Sequence, residues 1–92
     1  MNFTVLWTPS AERDLTELWL QATDRGAVRS AADTLDSLLR IDAHLRGESR
    51  YESVRIVHAD PLGVDIEVDE GNRTVWVLRV WRYTRGGGTN PQ

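Results

Sequence analysis

The chain has 92 residues, no cysteine, and a formal net charge of −3 from 14 acidic and 11 basic side chains. That length holds one domain with one core, which is marginal unless a partner covers part of its apolar surface, so a second globular domain is excluded. Without cysteine there are no disulfides or thiolate metal sites, which points to a reducing cytoplasm, and the acid excess argues against affinity built on neutralising many phosphates. Every basic residue is arginine, a side chain suited to planar, bidentate pairing rather than diffuse attraction. No apolar run reaches the length of a signal segment or a membrane span.

Residues 3–7 alternate, with Phe3, Val5 and Trp7 on one face and Thr4 and Leu6 on the other, which predicts a short strand. Thr8 is placed to cap a helix whose first residue is Pro9, where a missing N–H does no harm. The apolar face of that helix is Ala11, Leu15, Leu18, Trp19 and Ala22, with Glu12, Arg13, Asp14 and Glu17 outside it. Asp24 is then a cap for a second helix carrying Val28, Ala31, Ala32, Leu35, Leu38, Leu39 and Leu45 at helical spacing, with Gly47 as its left-handed C-cap. The connection is short, so the two helices form an antiparallel hairpin, and the alanines at 31 and 32 allow close approach.

From Tyr51 the period changes to two. Residues 51–59 read as one strand, Asp60–Gly63 as a turn, and 64–69 as a strand with Val64, Ile66 and Val68 inward and Asp65, Glu67 and Asp69 outward. Residues 70–73 form a hairpin turn. The last strand, 74–82, is apolar on both faces, Trp76, Leu78 and Val80 against Val75, Val77 and Trp81, and so belongs in the middle of a sheet. The sequence from Arg85 onward, with three consecutive glycines and no apolar residue, reads as a mobile tail (86–92) after a single domain (1–85). The expected fold is α+β: an N-terminal strand, an antiparallel helical hairpin, then a three-strand antiparallel meander.

Arg79, Arg82 and Arg85 gather near the end of the last strand beside Trp81 and Tyr83, and Arg50 and Arg55 begin the strand at 51. In one sheet these guanidinium groups can converge on a phosphate or on a partner's carboxylates. The plainer reading pairs Arg79 with Asp65 or Glu67 across the hairpin. Trp81 next to arginine suits a partner anchor, and the other tryptophans read mostly as core. His58 near Asp60 is a possible base or an ordinary strand-end pair, and His44 suits the end of a helix. The acids Asp65, Glu67, Asp69 and Glu70 read as a solvated face rather than a metal cluster. No metal-ligand spacing, phosphate-cradling loop or nucleophile elbow is present, and no cofactor is expected.

The opening VLWTPSAERDLTELW, the helical hairpin, RGESR, and PLGVDIEVDEGNRTVWVLRVWR resemble the RelE/ParE family of type II toxins, over about residues 3–82. The resemblance implies that fold and a cytoplasmic toxin neutralised by a cognate antitoxin whose C-terminal segment wraps over the hairpin and sheet. It also implies that the free toxin either cuts mRNA on the ribosome or poisons DNA gyrase. Carried over position by position, Arg55 and Arg82 stand for two of the basic residues of the cutting members. Val57 and Gly63 stand where further basic residues are expected, and Tyr83 comes too early for their C-terminal tyrosine. Cleavage by a 2′-hydroxyl needs a base, an acid and charge donors, and arginine supplies only the last. The expectation is therefore a toxin that acts by binding, with Arg50, Arg55, Arg79, Trp81, Arg82 and Tyr83 contacting target or antitoxin.

Overall fold

The computed structural model describes residues 2–42, 48–51 and 54–83, without the side chains of 42 and 48–51. The elements run β1 (Thr4–Trp7), α1 (Pro9–Gln21), α2 (Arg25–Asp42), β2 (Glu48–Tyr51), β3 (Val54–Ala59), β4 (Leu62–Asp69) and β5 (Thr74–Arg82). They form a five-stranded sheet in the order β1-β5-β4-β3-β2 with the helical hairpin on one face. The expected meander of three antiparallel strands is present. The sheet as a whole is mixed, because β1 pairs parallel with β5. A parallel neighbour needs a long crossover, and everything from α1 to β4 serves as that crossover, which makes β5 an inner strand.

Thr8 fixes the bend from β1 into α1. Its hydroxyl accepts from the Ala11 N–H at 3.1 Å, capping the helix, and donates to the Leu78 carbonyl at 3.1 Å, tying the cap to β5. Asp24 begins α2 in the expected way, accepting from the Ala27 N–H at 3.0 Å. The three residues between the helices are bridged by Arg25, which donates to the carbonyls of Trp19 and Leu20 at the end of α1. Ala11, Val28, Ala31, Leu35 and Leu39 from the hairpin bury against Val57, Leu62, Val64, Ile66, Val75, Val77 and Val80 of the sheet. Leu45, Gly47 and the tail lie outside the described residues.

Three expectations need correction. Residues 51–59 are not one strand: Tyr51 ends β2, and β2 pairs antiparallel with β3. The turn after β3 is only Asp60 and Pro61, joined by a cis bond, since Ala59 and Leu62 already pair. The faces of β5 also change phase partway. Asp65 pairs with Arg79 and Ile66 with Val77, leaving Leu78 as an extra residue in a bulge. The bulge sends Val80 to the helix side with Val75 and Val77, and sends Trp81 to the helix-free side with Trp76, the reverse of simple alternation. Trp76 is consequently exposed (41%), and Trp19 is exposed (38%) at the end of α1 under the Arg25 guanidinium, so these two are not core residues.

Candidate functional site

The strand-end residues divide between two faces. Cross-strand register sets Ala59, Leu62 and Arg82 in one row, Val57, Val64 and Val80 in the next, and Arg55, Ile66 and Val77 two rows further on, all facing the helices. Between them, on the helix-free face, stand the rows Ile56–Asp65–Arg79 and His58–Gly63–Trp81. Among the described residues, Arg55, Arg79 and Arg82 do not converge. Arg55 and Arg82 share a face but lie four residues and two strands apart, roughly 16 Å between backbones, while Arg79 faces the other way. The side chain of Arg50 is outside the described part of β2, and Arg85 lies beyond the described residues.

Arg79 is engaged by α1. Beyond Trp7, strand β1 no longer covers β5, and α1 finishes that edge: the Val80 N–H donates to Asp14 at 3.0 Å, and Arg79 closes on the same carboxylate with Nε at 2.7 Å and Nη2 at 3.2 Å. The hydrogen bond from Arg79 holds the Asp14 carboxyl below its ordinary 3.8, with the Val80 N–H assisting and partial burial opposing. Asp65 lies opposite Arg79 in register and favours its charge through space, while Nε and Nη2 of the guanidinium reach Asp14. Arg79 thus stands opposite Asp65, as the hairpin register predicts, and in addition forms a clamp between sheet and helix through Asp14. In sequence Asp14 reads as lying outside the apolar face of α1. Its spacing from Ala11 and Leu18 puts it on the flank of that face, and this was the one sequence signal that it looks toward the sheet.

On the helix-free face three aromatic rings meet around a glycine. A Cβ at Gly63 would lie 2.7 Å from Nε1 and 2.8 Å from Cε2 of Trp81, and 3.1 Å from Cδ2 of His58, so the indole occupies the place of a side chain at 63. The Tyr83 ring stacks on His58, centroids 3.8 Å apart and 8° from parallel. This cluster was only partly legible: Trp81 and Tyr83 were singled out for their arginine neighbours, whereas the role of Gly63 depends on register. The outward acids Asp65, Glu67 and Asp69 continue the same face. Asp69 is half-buried in the β4–β5 turn, where hydrogen bonds from Asn72 lower its pKa. No cluster of three or more potential metal ligands occurs among the described residues, and no helix there is long and apolar enough to cross a membrane.

Comparison with known proteins extends this geometry. No curated protein sequence matches the chain. Among solved structures it is similar to the RelBE2 toxin–antitoxin complex of Mycobacterium tuberculosis, at TM-score 0.72 and 19% identity over 89% of this chain and 92% of that one. It is also similar to the chromosomal ParDE system of P. aeruginosa, at TM-score 0.71 and 18% identity over 89% and 97%. The archaeal RelE–RelB complex of Pyrococcus horikoshii matches at TM-score 0.66 and 12% identity over 94% and 100%. At these identities the likeness shows a shared fold. Residues 5–85 match the family described as the ParE toxin of the type II toxin–antitoxin system parDE. With that match running from β1 through the closing strand β5, the chain belongs to the ParE toxin family of type II toxin–antitoxin systems.

Proposed function

We propose that this protein is a growth-inhibiting toxin held inactive by a cognate antitoxin, and that it acts by binding a protein target, in the manner of a gyrase poison, rather than by cutting RNA. The observation that carries this reading concerns the two positions where the family resemblance implies further basic residues. Val57 is buried in the core and faces the helices, and Gly63 is roofed by the Trp81 indole, so neither presents a group to a phosphate. The remaining pair, Arg55 and Arg82, is too widely spaced to form a joint clamp. The helix-free face carries Asp65 and Glu67, whose charge repels a nucleic-acid backbone. Arginine also cannot take the proton of an attacking hydroxyl.

One observation favours the alternative of a ribosome-dependent mRNA endonuclease. The exposed His58 ring stacked on Tyr83 unites a titratable group with an aromatic platform of the kind that receives an unstacked base. A third possibility is a non-toxic interaction domain of the same fold. Induced expression in the host separates the three readings. The binding reading expects growth arrest, relief by the small protein encoded alongside, inhibition of purified gyrase, and no new mRNA 5′ ends in primer extension. Discrete mRNA cuts that disappear with His58→Ala establish the endonuclease instead, and normal growth with no copurifying partner leaves the interaction domain. The cytoplasm is the proposed site of action, since both candidate targets reside there.

A further inference from the structure

The helix-free face of the sheet is finished differently at its two ends. At one end the Trp81 indole occupies the place of a side chain at Gly63 and Tyr83 stacks on His58, so the aromatic area is largely used within the molecule. At the other end, register draws Leu6 of β1, Trp76 of β5 and Glu67 of β4 into one row across three strands. Leu6 is 37% exposed and Trp76 41%, and the Trp76 indole makes no ring contact or hydrogen bond among the described residues. Acids border this apolar pair: Glu67 stands beside Trp76, and Asp65 and Asp69 flank Glu67 along β4. Among the described side chains the strands bring one arginine to this face, Arg79, and it already holds Asp14.

We propose that the Leu6–Trp76–Glu67 row is where the toxin meets its protein target, and that it takes a segment bearing Lys or Arg. The stem of the basic side chain lies over the Trp76 indole, its cationic head reaches the Glu67 carboxylate, and a neighbouring apolar side chain of the target covers Leu6. The inference deepens the binding reading above and rests on it. Trp76 and Glu67 are cross-strand neighbours, about 5 Å apart at Cβ, which sets an acid at the rim of an indole. An aromatic face attracts a cation, and a long basic side chain covers apolar surface with its stem while its head stays at a polar group. A carboxylate offers several acceptor sites, so a contact within the toxin does not close Glu67 to a partner. The acids also select the partner: they repel a nucleic-acid backbone and attract the basic side chains with which a DNA-handling enzyme holds its phosphates. A target of the gyrase kind carries such side chains, and a tryptophan set among apolar and charged neighbours is the residue type on which binding energy concentrates.

The test measures binding of the full chain to purified host gyrase by biolayer interferometry, together with inhibition of supercoiling. Trp76→Ala weakens binding by about 30-fold, the loss that marks a hot-spot residue. Glu67→Gln keeps the shape, removes the charge and weakens binding by about tenfold, and Glu67→Lys weakens it further because it repels the cation. Binding by the parent falls as salt rises, and Glu67→Gln flattens that dependence, a readout that lost packing alone does not move. Leu20→Ala, exposed on α1 on the opposite side of the sheet, leaves binding unchanged. All these positions lie at the surface, and melting curves confirm that the variants fold. Affinities for Trp76→Ala and Glu67→Gln within roughly twofold of the parent overturn the proposal. So does an equal loss from Leu20→Ala, which means general apolar adhesion, and so does a loss confined to the antitoxin complex or to self-association. A parent chain that neither binds gyrase nor inhibits supercoiling sinks the gyrase-like reading and this assignment with it, whereas a parent that binds gyrase and ignores both substitutions overturns this assignment alone.

Discussion

The two halves of β5, on either side of the Leu78 bulge, are built on different principles. Residues 74–77 are flanked by β1 and β4, and Val75 and Val77 are completely buried beneath the hairpin. Residues 79–82 have a strand on one side only. Their open edge is finished by Asp14, and their side chains go to different places: Arg79 to Asp14, Val80 to the core, Trp81 to the aromatic cluster and Arg82 to the helix-facing side. The first half is fixed by apolar burial, which is indifferent to pH and to single charges. The second is fixed by a few directional contacts, so it can present functional groups while its backbone stays satisfied.

The comparison breaks most severely in the first half. Ile66, opposite Val77, is fully buried, and Ile66→Ala leaves a cavity in the single core, at a cost of about 2–5 kcal/mol. In a domain this small that is a large share of the total stability, so the variant is expected to melt far below the parent or to fold only with a partner. A melting temperature within a few degrees of the parent's would mean that the core is not concentrated under this strand.

The second half responds to a different kind of change. Asp14→Ala removes the acceptor of the Val80 N–H and the partner of Arg79, and a lost charged acceptor of this kind costs about 1.5–3 kcal/mol. Because Asp14's folded pKa lies below its unfolded value, its contribution is fully present above about pH 4 and disappears as the pH falls through the folded pKa. The stability gap between the parent and Asp14→Asn, which loses the charge and keeps the shape, should therefore be constant near neutrality and narrow under acid. Asp69 shifts in the same direction, so the test is the difference between the two proteins in parallel urea titrations, not the parent's acid limb alone. A gap that widens on acidification would contradict the clamp.

Gly63→Ala tests the aromatic cluster. The added methyl meets the Trp81 indole inside 3 Å, and overpacking of this kind costs about 1–3 kcal/mol. The expected sign is a loss of stability together with a changed near-ultraviolet circular dichroism spectrum. Unaltered spectrum and stability would show that Trp81 does not rest on Gly63.

How far these features could be read from the sequence follows from the range over which each is determined. The Thr8 cap, the Asp24 cap and the outward acids of β4 rest on neighbours a few residues away, and local periodicity finds such features. The parallel pairing of β1 with β5 joins residues about 70 apart, and no local pattern encodes it. The bulge at Leu78 was hidden because a strand apolar on both faces gives alternation no contrast from which to read a phase slip. That one residue decided the fate of the strand-end arginines: with it, Arg82 turns to the helices and Arg79 to the edge, so the cluster seen in sequence divides in space. Asp14 was missed for a related reason, since its partner lies 65 residues away.

The smallest expected effect is the most discriminating. The clamp between Asp14 and Arg79 can be cut from either end, and on a naive count of contacts the two cuts should cost the same. They differ in what is left behind. Without Arg79, the Asp14 carboxylate still accepts from the Val80 N–H, and the edge of β5 remains satisfied. What is lost is an ion pair whose arginine is 63% exposed, and exposed pairs contribute little because water and salt compete for both partners. Without Asp14, a half-buried backbone donor and a guanidinium lose their acceptor together, which is the costlier side of the asymmetry. Arg79→Ala should therefore change stability far less than Asp14→Ala, and its effect should fade in high salt while that of Asp14→Ala persists. Equal losses from the two single substitutions would mean that the ion pair, and not the capping of the β5 edge, is what holds α1 to the sheet.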